Sequence, residues 1–258
     1  MGKLISDQLS LQIGQKNILH KVSLTAHDGE LIGLIGPNGS GKSTWIRAMS
    51  SLLPYHDGKV MLKGKEITSF PPRDIAKMIS YVPQSISLNF DFPVRDIVLM
   101  GRHAHVPRFG LESDKDYKIA EAAMHKTNID HLANCYVNQL SGGQLQLVFI
   151  AKVLAQETDI LILDEPTSSL DINRQLQMLE LVKQLTKEGI TVIAALHDLN
   201  LAARFCDKLV LLKNGEVLAT GNPENVLTAD HIYKSYNVQS AVRYDPLIEA
   251  YSVTVLTH

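Results

Sequence analysis

Nine consecutive residues, Gly36, Pro37, Asn38, Gly39, Ser40, Gly41, Lys42, Ser43 and Thr44, constrain this chain more than any other feature. They fit the pattern Gly-x-x-x-x-Gly-Lys-Ser/Thr, after a short apolar run at 30–35 and before a helical pattern. In that setting the glycines let backbone N–H groups wrap an anion, and the next helix adds the positive end of its dipole. The pattern therefore demands a strand, a tight loop and a helix in succession, with phosphate in the loop. Lys42 is placed to reach the β- and γ-phosphates of a nucleoside triphosphate, and the Ser43 hydroxyl to ligate Mg²⁺.

The rest of the chain suits an α/β fold. Apolar runs of strand length at 30–35, 79–82, 160–163, 191–195 and 208–212 alternate with helical patterns, which predicts a mainly parallel core sheet flanked by helices. Ile172, Leu176, Leu179, Val182 and Leu185 predict one buried helix face, ended by Gly189. Residues 85–139 read differently. Helical segments at 94–100 and 114–125 flank a loop rich in Gly, His, Pro and Arg, which predicts an inserted helical subdomain. The expected division is a core of 1–84 and 140–220, the insert at 85–139, and a small addition at 221–258 holding a short helix and the run 252–256.

With 258 residues, 45% hydrophobic, 20% charged and a formal charge of −2, bulk electrostatics imply neither nucleic acid nor acidic lipid as a partner. Cys135 and Cys206 are too few for a disulfide scaffold and are read as reduced core thiols, which favours the cytosol. No apolar run approaches the roughly 18 residues that span a bilayer, so any membrane role is expected to run through a partner.

Two more elements carry chemistry. The buried run at 160–163 ends in Asp164 and Glu165, where parallel strands deliver functional groups at their C-terminal ends. Asp164 is placed to hold Mg²⁺ through water, and Glu165 to polarise an attacking water beside the γ-phosphate. The run Leu140, Ser141, Gly142, Gly143, Gln144 opens a predicted helix at 145–155. Ser141 can cap that helix and donate its hydroxyl, giving one chain a second anion-binding helix start.

With these motifs the sequence resembles the ABC ATPases over essentially its whole length. The resemblance implies a P-loop fold with an antiparallel β subdomain and an inserted helical one. It also implies that the Leu-Ser-Gly-Gly-Gln signature closes over ATP held by the P-loop of a second copy, sandwiching two nucleotides in a head-to-tail homodimer. Gln84 matches the glutamine that ligates Mg²⁺ and senses the partner, Ser169, Leu170 and Asp171 match the D-loop, and His197 matches the switch histidine at the γ-phosphate. Glu165, His197 and Lys42 are then the expected catalytic groups. Two positions depart from the pattern. Ile13 stands where an aromatic commonly stacks on adenine, and Leu147 stands where an arginine commonly follows the signature.

A stand-alone cassette resembles the ATPase subunit of an importer. It would work at the cytoplasmic side of the cell membrane, docking helices of a separate permease near Gln84, with an extracellular or periplasmic substrate-binding protein as indirect partner. The stretches 101–110 and 197–207 are similar to cassettes serving iron-siderophore, haem and cobalamin permeases. A non-catalytic module in which ATP merely fastens two subunits is the alternative, motivated by Ile13 and Leu147.

Overall fold

The computed structural model describes residues 2–84, 91–107, 110–168 and 170–256. Ser85, the expected start of the helical insert, lies outside the described residues, as do Arg108, Phe109 and the D-loop residue Ser169. In chain order the elements are β1 (Leu4–Ile13), β2 (Lys16–Ala26), β3 (Leu31–Ile35), α1 (Lys42–Met49), β4 (Asp57–Leu62) and β5 (Lys65–Glu66). Then follow α2 (Pro72–Ala76), β6 (Ile79–Val82), α3 (Val94–Leu99), α4 (Asp114–Lys126), α5 (Gly142–Ala155), β7 (Ile160–Asp164) and α6 (Ile172–Lys187). The chain closes with β8 (Thr191–Ala195), α7 (Leu199–Phe205), β9 (Lys208–Lys213), β10 (Glu216–Gly221), α8 (Pro223–Val226), α9 (Ala229–Tyr236), β11 (Ser240–Asp245) and β12 (Ala250–Val255). They divide into two compact units, Met1–Phe70 with Val182–His258, and Pro71–Leu181.

In the first unit β3 lies parallel to both β8 and β9, and β10 returns antiparallel along β9. All five residues of β3 and all five of β8 are buried, so their uninterrupted apolar runs suit strands covered on both faces. A second, antiparallel sheet runs in the order β2-β1-β4-β5. Trp45 of α1 is fully buried, and its indole Nε1 donates to Ser6 Oγ at 2.9 Å, tying α1 to β1. The hairpin β11–β12 is fastened to α7 by Asn200, whose Oδ1 accepts from the Val253 N–H at 2.7 Å.

The second unit holds β6 parallel to β7 and a helical core built by α3, α4 and α5. Val94, Ile97, Ala120, Met124, Val148 and Ala151 fill that core. Arg102 is buried beside it, its Nε 2.9 Å from Asp116 Oδ1 and its Nη1 2.8 Å from Glu157 Oε2.

Three local expectations need correcting. Ile172 is 79% exposed, because it opens the first turn of α6; Met178 is buried in the same helix, with Leu179, Val182 and Leu185. The signature helix starts at Gly142 rather than Leu145, because Ser141 and Gln144 form a reciprocal capping box. Of the two free thiols, Cys206 is buried and Cys135 only half-buried.

Candidate nucleotide site

In the first unit the P-loop leaves the C-terminal end of β3. Parallel register pairs Leu34 with Ala195, so the P-loop and the residues after β8, Leu196 and His197, emerge at the same edge of the sheet. Gly36 (φ 144°) and Gly41 (φ 107°) take backbone conformations closed to other residues, and a Cβ at Gly36 would lie 2.2 Å from the Leu212 carbonyl oxygen. The loop is braced from behind, since the Gly215 N–H donates to the Ser40 carbonyl at 3.0 Å. α1 then begins at Lys42.

Lys42 is 4% exposed, and its ammonium donates to the carbonyls of Gly36 at 2.7 Å and Pro37 at 3.2 Å. The Ser40 hydroxyl is buried with no hydrogen-bond partner among the described residues. An orphaned hydroxyl and a cation folded onto its own loop suit a cradle for an anion. Asn38 and Gly39 are exposed; Pro37, Ser43 and Thr44 are half-buried. Ile13, at the end of β1, is 52% exposed and offers an aliphatic face. His197 is exposed, and Asp198 after it caps α7, its Oδ1 accepting from Asn200 N at 2.8 Å.

In the second unit the same parallel logic operates. Val82 pairs with Leu163, so Gln84 and Glu165, each two residues further on, emerge side by side. The Gln84 amide donates to Glu165 Oε2. Asp164 is 3% exposed and Glu165 8% exposed. Glu165 sits at φ 54°, a left-handed conformation that costs a non-glycine residue about 1 kcal/mol and is retained where surrounding structure fixes it. The turn beyond supplies that fixing: Ser168 donates through its hydroxyl to the Glu165 carbonyl at 3.1 Å, and Gln175 of α6 donates to the Thr167 carbonyl at 3.1 Å.

Tyr81, which the sequence reading did not single out, touches the candidate site. Its hydroxyl donates to Asp164 Oδ2 at 3.3 Å. The signal was present, since β6 and β7 are adjacent and Tyr81 pairs with Ile162, two residues before Asp164.

The signature lies in the same unit. Ser141 Oγ accepts from Gln144 N at 3.3 Å while Gln144 Oε1 accepts from Ser141 N at 2.9 Å. Ser141 and Gly142 are exposed, Gly143 is buried and Gln144 half-buried. Leu147 packs onto the helical core. Asp171 Oδ1 accepts from Arg174 N at 2.9 Å at the start of α6. The second unit also carries a cavity of about 680 Å³, lined by Arg73, Met100, His103, Pro107, Leu111 and Glu112 among others. Leu111 there is 89% exposed. No helix among the described residues is long and apolar enough to cross a membrane.

A strand, glycine loop and helix with a buried lysine, joined to a mainly parallel α/β fold, define a P-loop nucleotide-binding protein. Residues 19–168 match the family of ABC transporter domains, and the chain belongs to that family. It is 38% identical to the ferric enterobactin transport ATP-binding protein of Escherichia coli, over 96% of this chain and 92% of that one. It is 42% identical to the cobalamin import ATP-binding protein of Halobacterium salinarum over 96% of this chain, and spans 62% of that protein's length. In structure it is similar to an inward-facing ABC transporter assigned to the metal-chelate type, with a TM-score of 0.85, 28% identity, and 99% and 97% of the two chains covered.

Proposed function

We propose that this chain is the ATP-hydrolysing subunit of an importer, working as a head-to-tail homodimer beneath a separate membrane permease. The observation that carries the proposal is Glu165, a buried carboxylate held in a left-handed backbone conformation and bridged to Gln84. A module that only bound ATP would have no use for a water-activating carboxylate so constrained.

Each group has a role in this reading. Gly36, Pro37, Asn38, Gly39, Ser40, Gly41, Ser43 and Thr44 wrap the phosphates through backbone N–H groups and hydroxyls, and Ile13 covers the adenine by apolar contact. Lys42 exchanges its two loop carbonyls for the β- and γ-phosphates. Ser43, Asp164 and Gln84 each offer a side-chain oxygen, the donor type that Mg²⁺ takes; they would hold the ion, and it would neutralise phosphate charge. Glu165 takes the proton of the attacking water, with His197 at the γ-phosphate. Ser141, Gly142, Gly143, Gln144 and Asp171 act on the nucleotide of the second copy.

The 680 Å³ groove, which sets exposed apolar Met100 and Leu111 beside polar Arg73, His103 and Glu112, is an amphipathic seat suited to a cytoplasmic helix of the permease. Its relatives, named for cobalamin and ferric enterobactin transport, support cargo of the iron-siderophore, haem or cobalamin type. Such cargo meets the permease and its substrate-binding protein, leaving the cassette at the cytoplasmic face of the membrane.

Phosphate release by the purified chain with ATP and Mg²⁺ tests the proposal. The wild type should turn over, and Glu165→Gln should bind ATP with similar affinity and lose turnover by about 10² to 10³-fold. Equal turnover by the variant would remove Glu165 from the chemistry. Absence of turnover by the wild type, even with its copurified permease, would favour the non-catalytic module.

A further inference from the structure

Arg174, in the first turn of α6, does not belong to any motif read from the sequence, yet it reaches the signature. Its Nη1 lies 3.3 Å from Ser141 Oγ. The same nitrogen occupies the space beside Gly143, where an added Cβ would meet it at 2.6 Å. A side chain at Gly143 would therefore push the end of Arg174 away from its place beside the signature. Asp171 steadies the guanidinium, its Oδ2 3.6 Å from Arg174 Nε while its Oδ1 takes the Arg174 N–H.

These contacts decide which way the serine points. A serine hydroxyl has two acceptor lone pairs and one O–H donor. At Ser141 the acceptor sites are taken by the Gln144 N–H and by Arg174. The remaining O–H is left to donate outward from an exposed residue, towards an incoming acceptor oxygen.

We propose that Arg174 is a positioning residue of the signature, orienting the Ser141 hydroxyl as a donor towards the γ-phosphate of the second copy's ATP. The proposal rests on the head-to-tail reading given under Proposed function and deepens it.

The test uses ATP-driven dimerisation of the full chain in the Glu165→Gln background, followed by sedimentation across protein concentration. Arg174→Ala and Ser141→Ala should each weaken the ATP-bound dimer by about tenfold or more, the scale of one charge-assisted hydrogen bond. Arg174→Lys, which keeps the charge and a single donor, should recover part of the loss. Combining Arg174→Ala with Ser141→Ala should cost little beyond either alone, because both act through one hydroxyl. ATP binding by the separate chains, measured by equilibrium dialysis below the dimerisation range, should stay within about twofold, which a merely misfolded variant would not manage. Full dimerisation by Arg174→Ala, or losses that multiply in the double variant, would overturn the proposal. A Glu165→Gln chain that stays monomeric with ATP would instead overturn the head-to-tail reading beneath it.

Discussion

Glu165 and Asp164 are adjacent in sequence but are held by different means. Asp164 ends a strand and is tied by the Tyr81 hydroxyl, whereas Glu165 is turned by a left-handed backbone and tied by the Gln84 amide. Tyr81→Phe should therefore leave ATP binding and folding near wild type while lowering steady-state turnover about two- to tenfold, the effect of one hydrogen bond of ~0.5–1.5 kcal/mol. Unchanged turnover would make the Tyr81 contact incidental. At the adenine end, Ile13→Tyr should tighten ATP by about 1 kcal/mol, roughly fivefold by calorimetry, if the exposed face of Ile13 covers the base. Cys206 offers a separate check on packing. Burial, with Asp207 nearby, pushes its thiol up to about 12, so at pH 8 it should resist alkylation in the native chain and react on unfolding, ahead of which half-buried Cys135 reacts.

At the scale of elements, strands were the most legible because a buried parallel strand writes itself as an uninterrupted apolar run. β6 and β8 match the expected spans at both ends, and β3, β7 and β9 lie within a residue of them. Helix ends were less legible, since they are set by side chains that satisfy a few backbone groups. The start of α5 was readable in Ser141 and Gln144, spaced as a capping box, but apolar periodicity alone begins at Leu145. Ile172 misled for a related reason, because periodicity cannot tell that a first turn projects beyond the core. The Gly189 stop succeeded: its φ of 92° and the Ile190 N–H to Leu185 carbonyl bond of 3.1 Å close α6 in a Schellman motif.

The start of α4 yields a pH prediction of the same kind. The Ser113 hydroxyl and N–H, then Arg102, hold the Asp116 carboxyl well below its ordinary 3.8. A carboxylate with a lowered folded-state value contributes stability that is fully present above 3.8 and is lost as pH falls towards the folded value. Asp116→Asn should thus be less stable than wild type to urea at pH 7, with the difference shrinking below pH 3.8. A difference that held constant, or grew, as the pH fell would contradict the assignment.

For the molecule as a whole, Lys42, Asp164 and the signature stood out in the sequence as candidates because phosphate chemistry restricts residue type and spacing. Gln84, Asp171 and His197 came from family resemblance, for a single glutamine or histidine carries no pattern of its own. Tyr81 and Arg174 were hidden, since each acts across a register or between helices that the sequence does not state. Both units nonetheless follow one rule, presenting chemical groups beyond the C-terminal ends of parallel strands. What the proposed mechanism adds is that one chain holds only half of each working site, its P-loop answering to the Ser141 of a second copy. The direct measurement is sedimentation of the Glu165→Gln chain with and without ATP and Mg²⁺. The account predicts one chain's mass without nucleotide and twice that mass with it, a shift abolished by adding Lys42→Ala; a chain that binds ATP and keeps the mass of one copy would contradict it.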